Sequence, residues 1–471
     1  MTEFDGNRPA APTAAENRER EKGRRRSMFV AAFGTVVEWY DFSIFFYVAT
    51  TLTTEFFGDQ TDSLLLTLGV GAAGFLFRPL GAMVFGHLGD RIGRRSTLII
   101  SAVLMAISML GIAVIPNYEA IGIWAGVLMV TLRCLSGFSV GAEYTGIMVF
   151  LMESAGPGRR GLAASWAAAN SEVGALLAVG SGALLANTLS PDAMSSWGWR
   201  LLFVLGAVLA ALMVPLRTMM EETDTFKRLQ KAEEEKKEKK DPALERSPLI
   251  TAFLEQPRAI IVAFLISSIG SVSYFLNITY VPTYIEEVAK VPNSGSLALG
   301  TVAAVVAIIV TPFFGVASDR FGRKPTLAAL MVVFVLTTIP AYVLLSNQSA
   351  GIAIAGSAFL AIPAAGWSGV AAAMVPEQFT GTSRFSGMAI GYNIATVLFG
   401  GLSPLIATAL MSSTGVPLAP AIYATVVIVV AGIPTLILAR SMGHKTLAEV
   451  DADRHLVPAL VRWPRRTASD R

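Results

Sequence analysis

Charge is what this chain is short of. Only 15% of its residues are charged against 53% hydrophobic, and the mean hydropathy is +0.58. That balance excludes a disordered chain and an ordinary soluble domain. The stretches 325–376 and 385–439 contain no Asp, Glu, Lys or Arg. A bilayer-spanning helix needs about 20 apolar residues, so each stretch holds two. Turn-forming residues mark the divisions, Ser346-Asn347-Gln348-Ser349 in the first and Ser412-Ser413-Thr414-Gly415-Val416-Pro417 in the second. Cysteine is scarce too: Cys134 stands alone, which excludes an intramolecular disulfide and a cysteine-based metal site. His87, His444 and His455 lack metal-ligand spacing. No phosphate-cradling loop, nucleophile–base arrangement or pair of catalytic carboxylates stands out. The expectation is a protein without metal, cofactor or enzymatic activity.

Apolar windows predict twelve helices, near 28–53, 64–86, 97–115, 120–150, 161–187, 199–219, 258–284, 297–317, 325–345, 350–374, 386–411 and 418–440. The apolar stretch after Arg24-Arg25-Arg26 is too long for a signal peptide and reads as an uncleaved first span. Lys and Arg concentrate in alternate connections: the N-terminal arm, Arg91/Arg94/Arg95, Arg159/Arg160, Lys227 to Arg258, Arg320/Arg323/Lys324, Arg384 and the C-terminal tail. The other connections carry only Lys290. The positive-inside bias predicts cytoplasmic termini and a location in the plasma (inner) membrane.

The predicted organisation is an N-terminal arm (1–27), a six-helix half (28–220), a hydrophilic central loop (221–257), a second six-helix half (258–440) and a C-terminal tail (441–471). The halves repeat one another. Gly86-His87-Leu88-Gly89-Asp90-Arg91-Ile92-Gly93-Arg94-Arg95 after span 2 matches Gly315-Val316-Ala317-Ser318-Asp319-Arg320-Phe321-Gly322-Arg323-Lys324 after span 8. Glu153 with Arg160 is echoed by Glu377 with Arg384 at nearly the same offset. Gly93 and Gly322 permit tight turns, and Asp90 and Asp319 are acids amid arginines at a helix end. Such an acid caps a helix N-terminus or binds an arginine, and either bond breaks if the halves rock apart. Topology and turn chemistry alone are the alternative reading of this loop.

With these motifs the chain resembles the major facilitator superfamily over essentially everything after residue 27. Val37-Glu38-Trp39-Tyr40-Asp41-Phe42, Phe77-Arg78-Pro79-Leu80-Gly81, Gly137-Phe138-Ser139-Val140-Gly141-Ala142-Glu143-Tyr144 and Trp197-Gly198-Trp199-Arg200 are similar to its metabolite:proton symporter branch, which includes carriers of α-ketoglutarate, citrate, shikimate, and proline or betaine. Ser136 departs from that branch, which usually has Gln there. The resemblance implies an all-α membrane fold of two pseudo-symmetric six-helix halves around a central cavity. It also implies a gate made by Asp90, Arg91, Arg94, Asp319, Arg320 and Arg323, with Glu153, Arg160, Glu377 and Arg384 as network partners.

Ionisable residues inside the spans are few: Glu38, Asp41, Arg78, Arg133, Glu143 and Glu172. Each is costly, by about 2.5–3.5 kcal/mol for Arg or Asp at a helix centre, so each is expected to face a cavity or a partner. Asp41, Glu38 and Glu143 are the candidate proton-coupling acids, and Arg133, with Arg78, the candidate site for a substrate carboxylate. For Asp41 and Arg133 a structural ion pair is the competing reading, and for Arg78 snorkelling toward the nearby loop. The second half is nearly free of charge, so its cavity wall must be neutral. Tyr274, Asn277 and Tyr280 at spacings of three predict one polar stripe on span 7, with Trp367 and Asn393 as further candidates or as packing residues.

The expected function is proton-coupled uptake of a small carboxylate-bearing metabolite, an organic acid or a zwitterionic osmolyte such as proline or betaine, by alternating access. Its partners are that substrate, protons and the lipid bilayer, with no nucleic acid, and the expected functional unit is a monomer. Proton-driven drug or metabolite efflux is the rival within transport, and a non-transporting receptor the rival outside it.

Overall fold

In hydrocarbon every backbone N–H and C=O must be satisfied within its own segment, which favours continuous helix. The computed structural model of the chain describes residues 14–58, 63–92, 94–141, 143–153, 155, 158–218, 253–289, 293–346, 350–379 and 383–440, and among these it is helical without strands. The central loop, the C-terminal tail and the first 13 residues lie outside the described residues, apart from 253–257, as do the side chains of Asp90, Arg91, Arg94 and Lys290.

Span 1 is Ala14–Tyr47, continued by Ala49–Phe57; span 2 is Ser63–Ile92; span 3 is Arg94–Val114. Span 4 is built from Ile123–Ser139 and Glu143–Glu153, span 5 is Arg160–Thr188 and span 6 is Trp199–Thr218. Span 7 runs Pro257–Tyr274, Phe275–Thr279 and Val281–Val288. Spans 8, 9 and 10 are Asn293–Phe321, Arg323–Leu345 and Ala350–Glu377. Span 11 runs Ser383–Thr396, Val397–Gly401 and Ser403–Thr414, and span 12 is Ala419–Leu438. Eleven of these segments are long and apolar enough to cross a membrane among the described residues. Span 1 completes the twelve. Its helix begins within the sequence-predicted arm, at Ala14. Large apolar side chains such as Ile309, Leu336, Val430 and Ile437 point outward, as a lipid-facing surface requires.

The halves meet where spans 5 and 10 pack on spans 8 and 5, and where span 11 packs on spans 2 and 4. Spans 4, 7 and 11 are discontinuous within the bundle. In spans 7 and 11 the interruption is a five-residue π segment, Phe275–Thr279 and Val397–Gly401. Such segments free carbonyls from the helical ladder, and buried side chains take them up: Tyr342 Oη donates to Leu276 O at 2.8 Å. In span 4 the helix stops at Val140–Gly141, where Gly141 sits directly on the Arg78 and Ala82 backbone of span 2 and a Cβ has no room. Gly137 and Gly81 pack the same two spans backbone to backbone.

Candidate substrate site and gate

Each arginine inside the first half has an acid. Arg78 of span 2 pairs with Glu38 of span 1. Arg133 Nη1 of span 4 donates to Asp41 Oδ2 at 2.9 Å and to the Asp41 carbonyl at 3.4 Å. Arg217, near the end of span 6, binds Glu143 and the Leu98 carbonyl. Ser136 donates to the same Asp41 oxygen as Arg133, so the residue that departs from the symporter branch is an Asp41 partner. The guanidinium groups also lie over rings: Arg133 is 4.6 Å from the Phe42 centroid and 4.7 Å from Phe45, and Arg78 is 4.9 Å from Phe42. All six charged residues are buried. These pairs stand behind the cavity wall and none of the six lines it.

The cavity itself lies between the halves. Trp39 of span 1, Tyr144 of span 4 and Ser171 with Glu172 of span 5 form one wall. Ser267, Ser271 and Tyr274 of span 7, Ser368 of span 10 and Tyr392 with Thr396 of span 11 form the other. Its volume is about 50 Å³, so a metabolite enters only if the halves separate. The rings make a continuous chain: Tyr274–Trp39 centroids are 4.8 Å apart, Trp39–Tyr144 5.6 Å and Tyr144–Tyr392 5.5 Å. Glu172 is 1% exposed, and neither carboxylate oxygen has a hydrogen-bond partner in the protein.

Contacts flank the cavity on two sides. At the end bearing the arginine-rich connections, Asp319 reaches across the halves to cap span 5: Oδ1 accepts from Gly161 N at 2.8 Å and Oδ2 from Leu162 N at 2.9 Å. Arg323 donates to Asp319 at 2.8 Å and to both Glu377 oxygens at 3.1 and 3.2 Å. Two ion pairs cross the halves here, Arg160–Glu377 at 3.5 Å and Arg384–Glu153 at 2.7 Å. The acid of the repeated loop therefore makes both bonds expected of it, a helix cap and an arginine pair. Gly322, at φ 93°, makes the turn between spans 8 and 9. Gly315 lets span 8 touch span 5; a Cβ there would meet Ser165 Oγ at 2.6 Å and Gly161 O at 2.8 Å. Arg320 is exposed and lies 5.5 Å from the Phe321 ring centroid, apart from this network. At the other end Phe275 packs against Phe75 at 5.2 Å and Phe46 at 6.0 Å.

The span 7 stripe expected from spacing is split by the π segment. Tyr274 faces the cavity, whereas Tyr280 bonds Thr408 at 2.7 Å. Asn277 is buried, with neither side-chain polar atom partnered. Trp367 donates to Ile266 O at 3.0 Å, tying span 10 to span 7 outside the cavity lining. Asn393 donates across the halves to the Gly141 carbonyl, at 3.2 Å. Arg217, Ser171, Ser267, Ser271, Tyr392 and Thr396 are among the residues that sequence reasoning passed over. Arg217 carried one signal, an arginine at the end of an apolar span.

Residues 27–453 match the family described as sugar (and other) transporter. The chain is 32% identical over 428 residues to a glycine betaine/proline/ectoine/pipecolic acid transporter of Dickeya dadantii, covering 90% of this chain and 84% of that one. It is 32% identical to a proline/betaine transporter of Escherichia coli K12 (86% and 81% covered) and 32% identical to a citrate–proton symporter of Klebsiella pneumoniae (81% and 84%). Among solved structures, a partially occluded, inward-open xylose transporter of E. coli superposes with a TM-score of 0.69 at 21% identity, covering 90% of this chain and 100% of that one. The helical fold and these relatives agree: the chain belongs to the sugar (and other) transporter family.

Proposed function

We propose that this protein performs proton-coupled symport of a small osmolyte or carboxylate-bearing metabolite by alternating access. One observation carries the reading: a small cavity walled by both halves, with the charged bonds that join the halves, among the described residues, gathered at one rim. The names of the relatives, transporters of proline and betaine and a citrate–proton symporter, support proton coupling and a small substrate. The rim with Asp319 is the cytoplasmic one, on the positive-inside bias, so both termini are cytoplasmic, in the inner membrane. The unit that works is a monomer, and it transports rather than catalyses.

Protonation of Asp41 or Glu38 ends its ion pair and frees Arg133 or Arg78. Both arginines hold nitrogens without an acceptor, Nε and Nη2 of Arg133 and Nε and Nη1 of Arg78, ready for a substrate carboxylate. Glu143 is the third acid of this relay, held by Arg217. Tyr274 contributes to the neutral wall; Asn277, outside the lining, keeps its buried amide for a substrate that enters as the halves separate, while Trp367 and Asn393 hold spans 10 and 11 in place. Asp90, Arg91 and Arg94 are the repeat-related counterparts of the Asp319 gate. The test is uptake of labelled proline, glycine betaine and citrate into proteoliposomes with an inward proton gradient. Accumulation of at least one, abolished by a protonophore, is expected; gradient-independent uptake, or none of the three, contradicts the reading.

A further inference from the structure

Glu172 differs from every other acid in the membrane core of the first half. Glu38, Asp41 and Glu143 each have an arginine, whereas Glu172 has no cation and no hydrogen-bond donor among the described residues. A carboxylate removed from water without a partner costs several kcal/mol. Its position is also distinct: it lines the cavity, whose lining among the described residues includes no Lys, Arg or His. Around the same cavity stand Trp39, Tyr144, Tyr274 and Tyr392, a linked set of rings whose faces attract cations. An unpaired acid within an aromatic enclosure lacks one component, a positive charge.

We infer that Glu172 and these four rings form a subsite for an ammonium group of the substrate, so that the transported molecule carries a positive charge. A polyanion such as citrate meets the opposite situation, with carboxylates facing Glu172 while the arginines are engaged by their acids behind the wall. The assignment also separates two tasks. Were proton and substrate cation to share one carboxylate, each would expel the other and the exchange would be antiport. Symport therefore places the proton elsewhere, on the arginine-paired acids of span 1.

This inference rests on the transport reading, and the experiment distinguishes the two. Purified full-length protein is titrated calorimetrically with glycine betaine, with its uncharged-head carbon isostere 3,3-dimethylbutyrate and with citrate. Glycine betaine is expected to bind roughly 30-fold more tightly than the isostere, about 2 kcal/mol, most of it from the Glu172 charge and the rest from the ring faces. Glu172→Gln should reduce that preference to within about threefold, and Glu172→Asp should keep most of it. Equal affinity of the wild type for betaine and isostere, or tighter binding of citrate, overturns the subsite without needing any variant. So does a Glu172→Gln protein that keeps the betaine preference but loses gradient-driven accumulation, since Glu172 would then be a proton site. Citrate counterflow in proteoliposomes with no betaine binding removes the subsite and leaves transport standing. Absence of counterflow for proline, betaine and citrate alike removes both.

Discussion

The first half buries Glu38, Asp41 and Glu143 with Arg78, Arg133 and Arg217 inside its bundle, whereas the second half holds Asp319, Arg323, Glu377 and Arg384 at one rim. Between these levels the second half offers the cavity only neutral groups, Ser267, Ser271, Tyr274, Ser368, Tyr392 and Thr396 among them. A buried ion pair adds little net stability, because desolvation offsets the attraction. Three such pairs in one half are thus better explained by a use for their charge state than by a need for stability. In this account the first half answers to protons, and the second supplies a wall and a latch.

The largest expected effect breaks that contrast directly. Arg133→Ala leaves Asp41 buried with only Ser136 as a side-chain partner, and should lower unfolding stability in detergent by about 3–5 kcal/mol. Removing a neutral bond of the second half should do far less. Trp367→Phe loses the bond to Ile266 O and should cost about 1 kcal/mol in the same thermal assay. If the two variants are equally destabilised, the halves do not differ as described.

The latch is open to a steric test. Gly315→Leu has no room against Ser165 and Gly161, and overpacking costs about 1–3 kcal/mol in the latched state alone. A cysteine placed at Ser368, in a Cys134→Ser background, should become more reactive toward an impermeant thiol reagent applied from the cytoplasmic side. Unchanged labelling would show that spans 5 and 8 do not control access. The smallest effect belongs to Glu55 and Arg200, a partly exposed pair at 3.9 Å. Glu55→Gln should change stability by no more than about 1 kcal/mol and leave transport intact.

Much of this arrangement is legible in the residues themselves. Scarcity of charge marks the spans, and the doubled Asp-Arg loop marks the repeat, because both depend on local chemistry that any bilayer protein must satisfy. The pairing of Glu38 and Asp41 with arginines was foreseeable from the cost of an isolated charge. Which acid lacks a partner was not: Glu172 stands apart only because three arginines are committed to other acids by the packing of spans 1, 2, 4 and 6. The stripe of Tyr274, Asn277 and Tyr280 failed for a similar reason. A π segment at Phe275–Thr279 rotates the remainder of span 7, so a spacing of three no longer keeps one face. Aromatic neighbours such as Trp39 and Tyr274 come from different halves, and no spacing within either half brings them together.

The claim that the first half is the proton-responsive one meets its most direct test in Asp41→Asn, which keeps the size and hydrogen bonding of the side chain but cannot ionise. In proteoliposomes it is compared with wild type for substrate exchange at equal pH and for accumulation driven by a proton gradient. The account predicts that exchange persists while gradient-driven accumulation is lost. Accumulation that survives in both Asp41→Asn and Glu38→Gln would contradict it.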